Sequence, residues 1–257
     1  MWRPSWPALS PALSPARWGA GLLDLVLPPA CAGCGEASSV PLCDPCRRGL
    51  AWIPGRACTS CQARAPLPGS DRCGGCALRP SPLEACTAAC WFEDVAAVWI
   101  RDYKYGEGGP AKAGVDRARM RALAFALCQR APAEAPERVV PVPLHRRRLR
   151  ARGFNPACGV ARVLARERGL RLAPLALERV RDTPSQTLLD RRGRVGNVRG
   201  AFRATRPVPG HVWLVDDVVT TGATLEAAAR ALRRAGARRI VALCLARTPT
   251  GARAQTS

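Results

Sequence analysis

Two adjacent carboxylates, Asp216 and Asp217, stand between an apolar run and a loop of hydroxyls and glycine in the segment VWLVDDVVTTGAT, residues 212–224. Ionised carboxylates only accept hydrogen bonds, so two side by side suit the paired hydroxyls of a ribose. Val212 to Val215 is short and uniformly apolar, the pattern of a central strand in a parallel sheet covered on both faces. Asp216 and Asp217 then fall at its carboxyl end, the edge where open α/β sheets hold ligands. Thr220, Thr221, Gly222, Ala223 and Thr224 follow, at the start of an Ala-rich helical run. They offer hydroxyls and unpaired backbone N–H groups where the helix dipole favours an anion. Taken singly, the acids read as a strand end and Thr221 or Thr224 as a helix cap. Together, the strand, the acids, the loop and the helix specify a site for a phosphorylated ribose. A Walker B motif also ends an apolar strand in acids, but the chain has no GxxxxGK[ST] loop to accompany one, and no GxGxxG for a dinucleotide.

A second chemistry lies upstream. Four CxxC pairs, Cys31/Cys34, Cys43/Cys46, Cys58/Cys61 and Cys73/Cys76, are separated by eight, eleven and eleven residues. A CxxC turn points two thiolates at one ion, and two such turns complete a tetrahedral four-sulfur zinc site. Eight ligands make two closed sites with no position open to water or substrate, so the zinc is structural, holding a segment too poor in large apolar residues to fold alone. The expectation is sequential pairing, Cys31, Cys34, Cys43 and Cys46 around one ion and Cys58, Cys61, Cys73 and Cys76 around the other; interleaved pairing satisfies the same spacings. Thioredoxin-like redox chemistry is the rival for a single CxxC, but not for four in series without a βαβ setting. Cys86, Cys90, Cys128, Cys158 and Cys244 lie in apolar or helical surroundings and read as small buried hydrophobes.

These sites need elements to hold them. A chain of 257 residues, 47% apolar, is long enough for one ordinary domain and a small one. Pro and Ser punctuate residues 1–17 and Asp24 interrupts the only apolar run there, so no secretory signal is read and no stretch reaches a membrane span. The expectation is a cytoplasmic protein without stable membrane insertion. Residues 1–27 are expected to form a flexible tail with a short amphipathic helix near Trp18 to Leu27, and residues 28–80 a double zinc ribbon. Pro80 and Pro82 mark a boundary, residues 83–248 form an α/β domain, and 249–257 are a tail. Within that domain strands are predicted over Ala85–Phe92, Val139–Val142, Val212–Val215 and Ile240–Ala246. Helices are predicted over Val95–Tyr105, Val115–Arg130, Asn155–Arg168 and Leu225–Ala235. The alternation implies a doubly wound, mainly parallel sheet behind a small zinc-ribbon domain.

Composition gives another route to the site. Of the 40 basic residues 38 are arginine, as in a GC-rich genome that replaces Lys by Arg and depletes Asn and Tyr. The exceptions are informative: Tyr103, Lys104 and Tyr105 are consecutive before Gly106, Asn155 follows Phe154, and Asn197 precedes Gly200. VWLVDDVVTTGAT resembles the signature of type I phosphoribosyltransferases, whose acids bind the ribose hydroxyls and whose loop binds the 5′-phosphate of phosphoribosyl pyrophosphate. With the cysteine-rich N-terminal segment, KYG, VPVPLHRRRLRARGFN and TPSQTLLDRRGRVGNVRGAF, the resemblance to the ComF competence family extends over nearly the whole chain. It implies a sheet of the type I phosphoribosyltransferase kind, a ligand brought in with magnesium, a role in DNA uptake or processing, and Lys104, Asn155, Gln186 and Asn197 among the ligand-binding residues. Pro156 departs from the family's usual Gln. Proline is tolerated in the first turn of a helix, so the fold is expected to survive while the interaction made by the glutamine side chain is missing.

Residues 146–206 hold 17 Arg against Glu167, Glu178, Asp182 and Asp190, so +13 of the chain's net +21 falls in about a quarter of its length. Such asymmetry indicates a polyanionic partner. Arg146, Arg147, Arg148, Arg150 and Arg152 follow a strand, where a parallel sheet presents ligand loops, and are suited to a pyrophosphate or to a strand of nucleic acid. Two functions follow. The first is a phosphoribosyltransferase, with magnesium and these arginines neutralising the departing pyrophosphate and the Gln186 to Asn197 segment closing as a hood. The second is a non-catalytic module that keeps the fold and binds single-stranded DNA on its basic face, with stacking minor because only Phe154 and Phe202 lie in that stretch. The residues name neither a general base nor an acceptor.

Overall fold

The computed structural model of the protein describes residues 29–55, 57–62, 66–182 and 200–249. The helix expected near Trp18 to Leu27, Gln186, Asn197 and the tail from residue 250 onward lie outside the described residues. Packing sorts the chain into two units, 1–49 and 50–257.

The smaller unit is built around its cysteines. An isolated antiparallel bridge joins Ala30 to Ala37, and the Gly35 N–H closes the Cys31 turn onto the Cys31 carbonyl at 2.9 Å. A five-residue helix, Asp44–Arg48, then starts with Asp44 and Pro45 and ends with Arg47 and Arg48, each charge on the dipole end that favours it. It buries no residue, so propensity and capping alone would not hold it.

The larger unit contains a four-stranded sheet. Strands β1 (Ala85–Trp91), β2 (Arg138–Pro141), β5 (Gly210–Val219) and β6 (Ala237–Arg247) run parallel in the order β1-β6-β5-β2. Strand alternation divides the core. Val212 and Leu214 of β5 join Ile240 and Ala242 of β6 in a cluster with Leu225, Ala228 and Leu232 of the helix Ala223–Arg234. Trp213, Val215, Val241 and Leu243 point to the opposite face and are equally buried, as strands covered on both sides must be. The helices Pro110–Arg130 and Pro156–Arg168 pack on the sheet from their alanine- and leucine-lined stripes. No helix among the described residues is long and apolar enough to cross a membrane.

The predicted elements are present, with two differences that affect the site. Strand β5 does not stop at Val215; it continues beside β6 to Val219, four residues beyond the point where its pairing with β2 ends. Asp216 and Asp217 are therefore inside a strand, laddered on one side only. The arginine segment is a helix, Arg146–Arg152, not a loop. Arginine is a good helix former, the His145 side chain accepts from the Arg147 N–H at its start, and Gly153 at φ 80° ends it in the left-handed conformation. Its only apolar residue besides Ala151 is Leu149, so no hydrophobic period announces it. A small antiparallel pair also escaped the pattern: β3 (Leu177–Arg179) with β4 (Phe202–Ala204), too short to show alternation.

Candidate functional site

The two acids are held differently. The Asp216 side chain accepts the Asp217 N–H at 2.9 Å, and the Asp217 side chain accepts from the Lys104 ammonium at 2.7 Å. Lys104 and Asp217 are each 15% exposed, so this pair is largely removed from solvent screening. Burial first, and then the neighbouring Asp217 charge, push the Asp216 carboxyl up to about 7; Lys104 and Arg179 oppose the rise. At neutral pH the site thus stands close to sharing a proton, and a ligand that donates hydroxyl hydrogen bonds favours the fully ionised pair.

Lys104 reaches Asp217 from the last turn of the helix Asp94–Tyr105, which makes the ion pair a tie between sequence positions 113 apart. Its neighbours fix that turn. The Tyr103 ring meets Phe154 edge to face at 5.0 Å, and its hydroxyl lies where a side chain on Gly159 would be, 2.6 Å from an added Cβ. Tyr105 faces outward, 68% exposed, with the Arg152 guanidinium 4.7 Å above its ring.

The loop after the acids forms as its residue types require. Gly222 is the helix N-cap at φ 82°, a conformation that disfavours a side chain, and it supplies no capping oxygen. The Thr221 hydroxyl accepts the Ala223 N–H at 3.4 Å, so Thr221 organises the turn rather than standing as its cap residue. The helix behind it, Ala223–Arg234, is twelve residues long, and its first turn follows directly on Gly222.

Opposite lies the arginine helix. Asn155 engages both ends of its amide: Nδ2 donates to the Val142 carbonyl at 3.0 Å and Oδ1 accepts the Ala157 N–H at 3.2 Å. It ties the end of β2 to the start of the helix Pro156–Arg168, where Pro156 occupies the first turn without disturbing it. Asn155 therefore positions the arginines. Asp182 lies 3.6 Å from both His145 and Arg148, while Arg146 and Arg147 are exposed. Of the two phenylalanines in the basic stretch, Phe202 is buried and Phe154 is partly exposed, while Arg152 of the arginine helix lies over the exposed Tyr105 ring.

Both cysteine tetrads gather sequentially. Cys31, Cys34, Cys43 and Cys46 form one group and Cys58, Cys61, Cys73 and Cys76 the other, each with its sulfurs within 4.8 Å of one another. The donor set fits a structural zinc ion in both cases. Backbone N–H groups aim at the sulfurs: those of Gly33 and Cys43 lie 3.3 Å from Cys31 Sγ. Burial pushes the Cys31 thiol up, but these N–H groups and that of Cys34 outweigh it and bring it to about 6; the same balance brings Cys58 to about 7. Of the remaining cysteines, Cys86, Cys90, Cys128 and Cys244 are buried and Cys158 is partly exposed.

Sequence reasoning missed two cations, one near the acids and one at the loop that follows them. Arg179 on β3 stacks over Phe202 at 5.5 Å and is among the charges felt by Asp216. Arg247, the last residue of β6, is 5% exposed and donates to the Thr220 carbonyl at 3.4 Å. Among 38 arginines neither has a distinguishing sequence signal, since both depend on where short strands end.

Comparison with known proteins agrees with this arrangement. Residues 22–77 match a double zinc ribbon domain and residues 151–256 a phosphoribosyl transferase domain. The chain is 33% identical to the DNA utilization protein YhgH of Salmonella typhimurium over 192 residues, 74% of this chain and 84% of that one. It is 32% identical to the Escherichia coli protein of the same name over 68% of this chain and 78% of that one. Competence protein F of Haemophilus influenzae is 27% identical over 84% of this chain and 90% of its own length. A double zinc ribbon ahead of a parallel phosphoribosyltransferase sheet, shared over most of their length with these relatives, places the chain in the ComF family.

Proposed function

We propose that the protein binds phosphoribosyl pyrophosphate with magnesium and uses it in DNA uptake or processing, the role that its relatives' names, DNA utilization protein and Competence protein F, point to. The observation that carries this reading is the Asp216 and Asp217 pair on the projecting end of β5, with Lys104 on one acid and the Thr220 to Thr224 loop directly behind. The ribose hydroxyls bond to the acids and the 5′-phosphate occupies the loop. The pyrophosphate and its magnesium face the Arg146 to Arg152 helix, whose Arg146 and Arg147 carry the charge to meet them. In a transfer reaction an acceptor nucleophile would bond to the anomeric carbon as its bond to pyrophosphate breaks through a cation-like transition state; the arginines would stabilise the leaving charge, and magnesium, when bound with the ligand, would supply further positive charge. Gln186 and Asn197 belong to the segment that would cover this step.

Calorimetry with phosphoribosyl pyrophosphate and magnesium tests the ligand, and pyrophosphate release across a panel of nucleobases tests turnover. Binding without release under any acceptor selects the second reading, a binding module for single-stranded DNA. One observation favours keeping it: Tyr105 and Phe154 are exposed rings beside the arginine helix, one of them stacked by Arg152, a pairing that single-stranded bases use.

A further inference from the structure

The second cysteine tetrad is fastened to the sheet that carries the acids. Residues 51–62 run along the open edge of β1: the Trp91 N–H donates to the Ala51 carbonyl at 2.7 Å, Ile53 to Ala89 at 3.2 Å and Cys86 to Thr59 at 2.9 Å. The Gln62 side chain accepts the Ala88 N–H at 2.6 Å. The edge of the sheet is thus covered by the chain that carries Cys58 and Cys61. At the ligand end of the strands a cavity of about 510 Å³ separates this knuckle from the phosphate loop, with Cys61, Cys73 and Cys76 on one wall and Thr220, Gly222 and Arg247 on another.

Arg247 is the unexplained member. It is 95% removed from solvent, its Nε has no hydrogen-bond partner among the described residues, and none of their carboxylates pairs with it. Glu226 lines the same cavity but lies 3.5 Å from Arg230. A guanidinium buried without a counter-charge is strongly unfavourable. A zinc ion held by four thiolates supplies one, because two positive charges on four negative ligands leave a net dianion. The guanidinium in turn donates to Thr220, the residue before the Thr221 hydroxyl that sets the helix start.

We propose that zinc in the Cys58/Cys61/Cys73/Cys76 site fixes the Thr220–Thr224 loop through Arg247, so that metal binding there and phosphate binding at the loop are thermodynamically linked, with Arg247 a positioning residue. The inference rests on the reading of that loop as a ribose-phosphate site. When the metal leaves and solvent protons convert the freed thiolates to thiols, the dianion is gone, the guanidinium loses its reason to stay against the cavity wall, and the Thr220 carbonyl is released. Linkage is reciprocal, so a phosphate on the loop must hold the metal more firmly. The Cys31 tetrad belongs to the other packing unit.

The test follows zinc release from the full chain to a chromophoric chelator, with and without ribose 5-phosphate. Two kinetic phases are expected, one of them slowed about tenfold by the sugar phosphate. The double variant Cys31→Ser, Cys34→Ser loses the insensitive phase and keeps the sensitive one. Arg247→Gln speeds the sensitive phase about tenfold without any ligand and makes it indifferent to ribose 5-phosphate, and Arg247→Lys, which keeps the charge, restores much of the native rate. Unchanged zinc release in a folded Arg247→Gln protein overturns the tie. So does a native protein that binds ribose 5-phosphate by calorimetry and shows no protection of zinc. If calorimetry finds no binding, the ribose-phosphate reading fails by itself, and the ligand-free rates of the Arg247 variants still decide whether the guanidinium holds the metal site. Should Arg247→Gln not fold, the Arg247→Lys rate and the native comparison carry the decision.

Discussion

The two cysteine tetrads have the same ligand spacing within each pair and opposite surroundings. In the first, Cys31 alone is buried and Cys34 is exposed, so a metal would be the organising interaction of its small unit. In the second, Cys58 and Cys73 are both buried, the preceding chain covers the edge of β1, and Cys61, Cys73 and Cys76 line a cavity shared with Thr220, Thr221 and Gly222. One motif therefore sits in two settings, and ligand spacing alone does not distinguish them. What distinguishes them is the hydrogen bonding of the residues between the cysteines.

The largest expected effect separates them by stability. Cys73→Ser should cost the larger unit on the order of 3–5 kcal/mol and lower its Tm by roughly 10 °C, because metal affinity is folding free energy at a site built into the sheet. Cys43→Ser should release its own ion and leave that transition within about 1 °C. Scanning calorimetry with metal analysis checks both, and equal shifts for the two variants would erase the contrast.

Next in size is the ligand. Asp216→Asn and Asp217→Asn should each weaken phosphoribosyl pyrophosphate binding by about one to two decades, the worth of a charge-assisted hydrogen bond of roughly 1.5–3 kcal/mol. Both variants should retain two zinc ions, so a loss of metal would mean that the acids support the second tetrad rather than a ligand.

A smaller effect has the opposite sign in the ligand-free protein. The Asp216 carboxyl is raised to about 7 by burial and by Asp217, so the folded state binds more protons than the unfolded one between the ordinary carboxylate range and neutrality. Stability from this group falls as pH rises through that window. Asp216→Asn should then stabilise the larger unit by about 1–2 kcal/mol above pH 7, with the gain shrinking to nothing below about pH 4. Thermal melts across that range test the sign; a gain independent of pH would point to packing instead.

The smallest effect concerns the basic face. Replacing Arg146, Arg147 and Arg148 by Ala should weaken single-stranded DNA binding and flatten its salt dependence by about 0.7 for each phosphate that is no longer neutralised, with zinc content untouched at both tetrads. A lower affinity at an unchanged slope would make the helix structural. If phosphoribosyl pyrophosphate competes with the DNA, the two ligands meet at one site.

Much of this was legible in the sequence because it rests on local rules. The CxxC spacings foretold the two tetrads, and the uniform apolar run before Asp216 foretold a strand buried on both faces. Asn155 was found by its rarity, and its amide engages the backbone of Val142 and Ala157, which no local pattern announces. The arginine helix was missed because helix-forming residues without an apolar stripe carry no period. Arg247 and Arg179 were missed because their importance comes from strand register, a long-range property that one chain among many arginines does not advertise.

The short β3–β4 pair has a consequence for the chain that joins its strands. Leu177 faces Ala204 and Arg179 faces Phe202 across an antiparallel ladder, with Phe202 and Ala201 buried in the core. The two ends of the segment from residue 183 to 199 are thereby clasped together independently of what lies between them. Closing a loop whose ends are already clasped depends only weakly on its length, about 0.6 kcal/mol for each doubling. A change of chain length between Asp182 and Gly200 should therefore cost the sheet little. The clasp thus makes the register of β3 and β4 a matter settled by the buried Ala201 and Phe202 themselves.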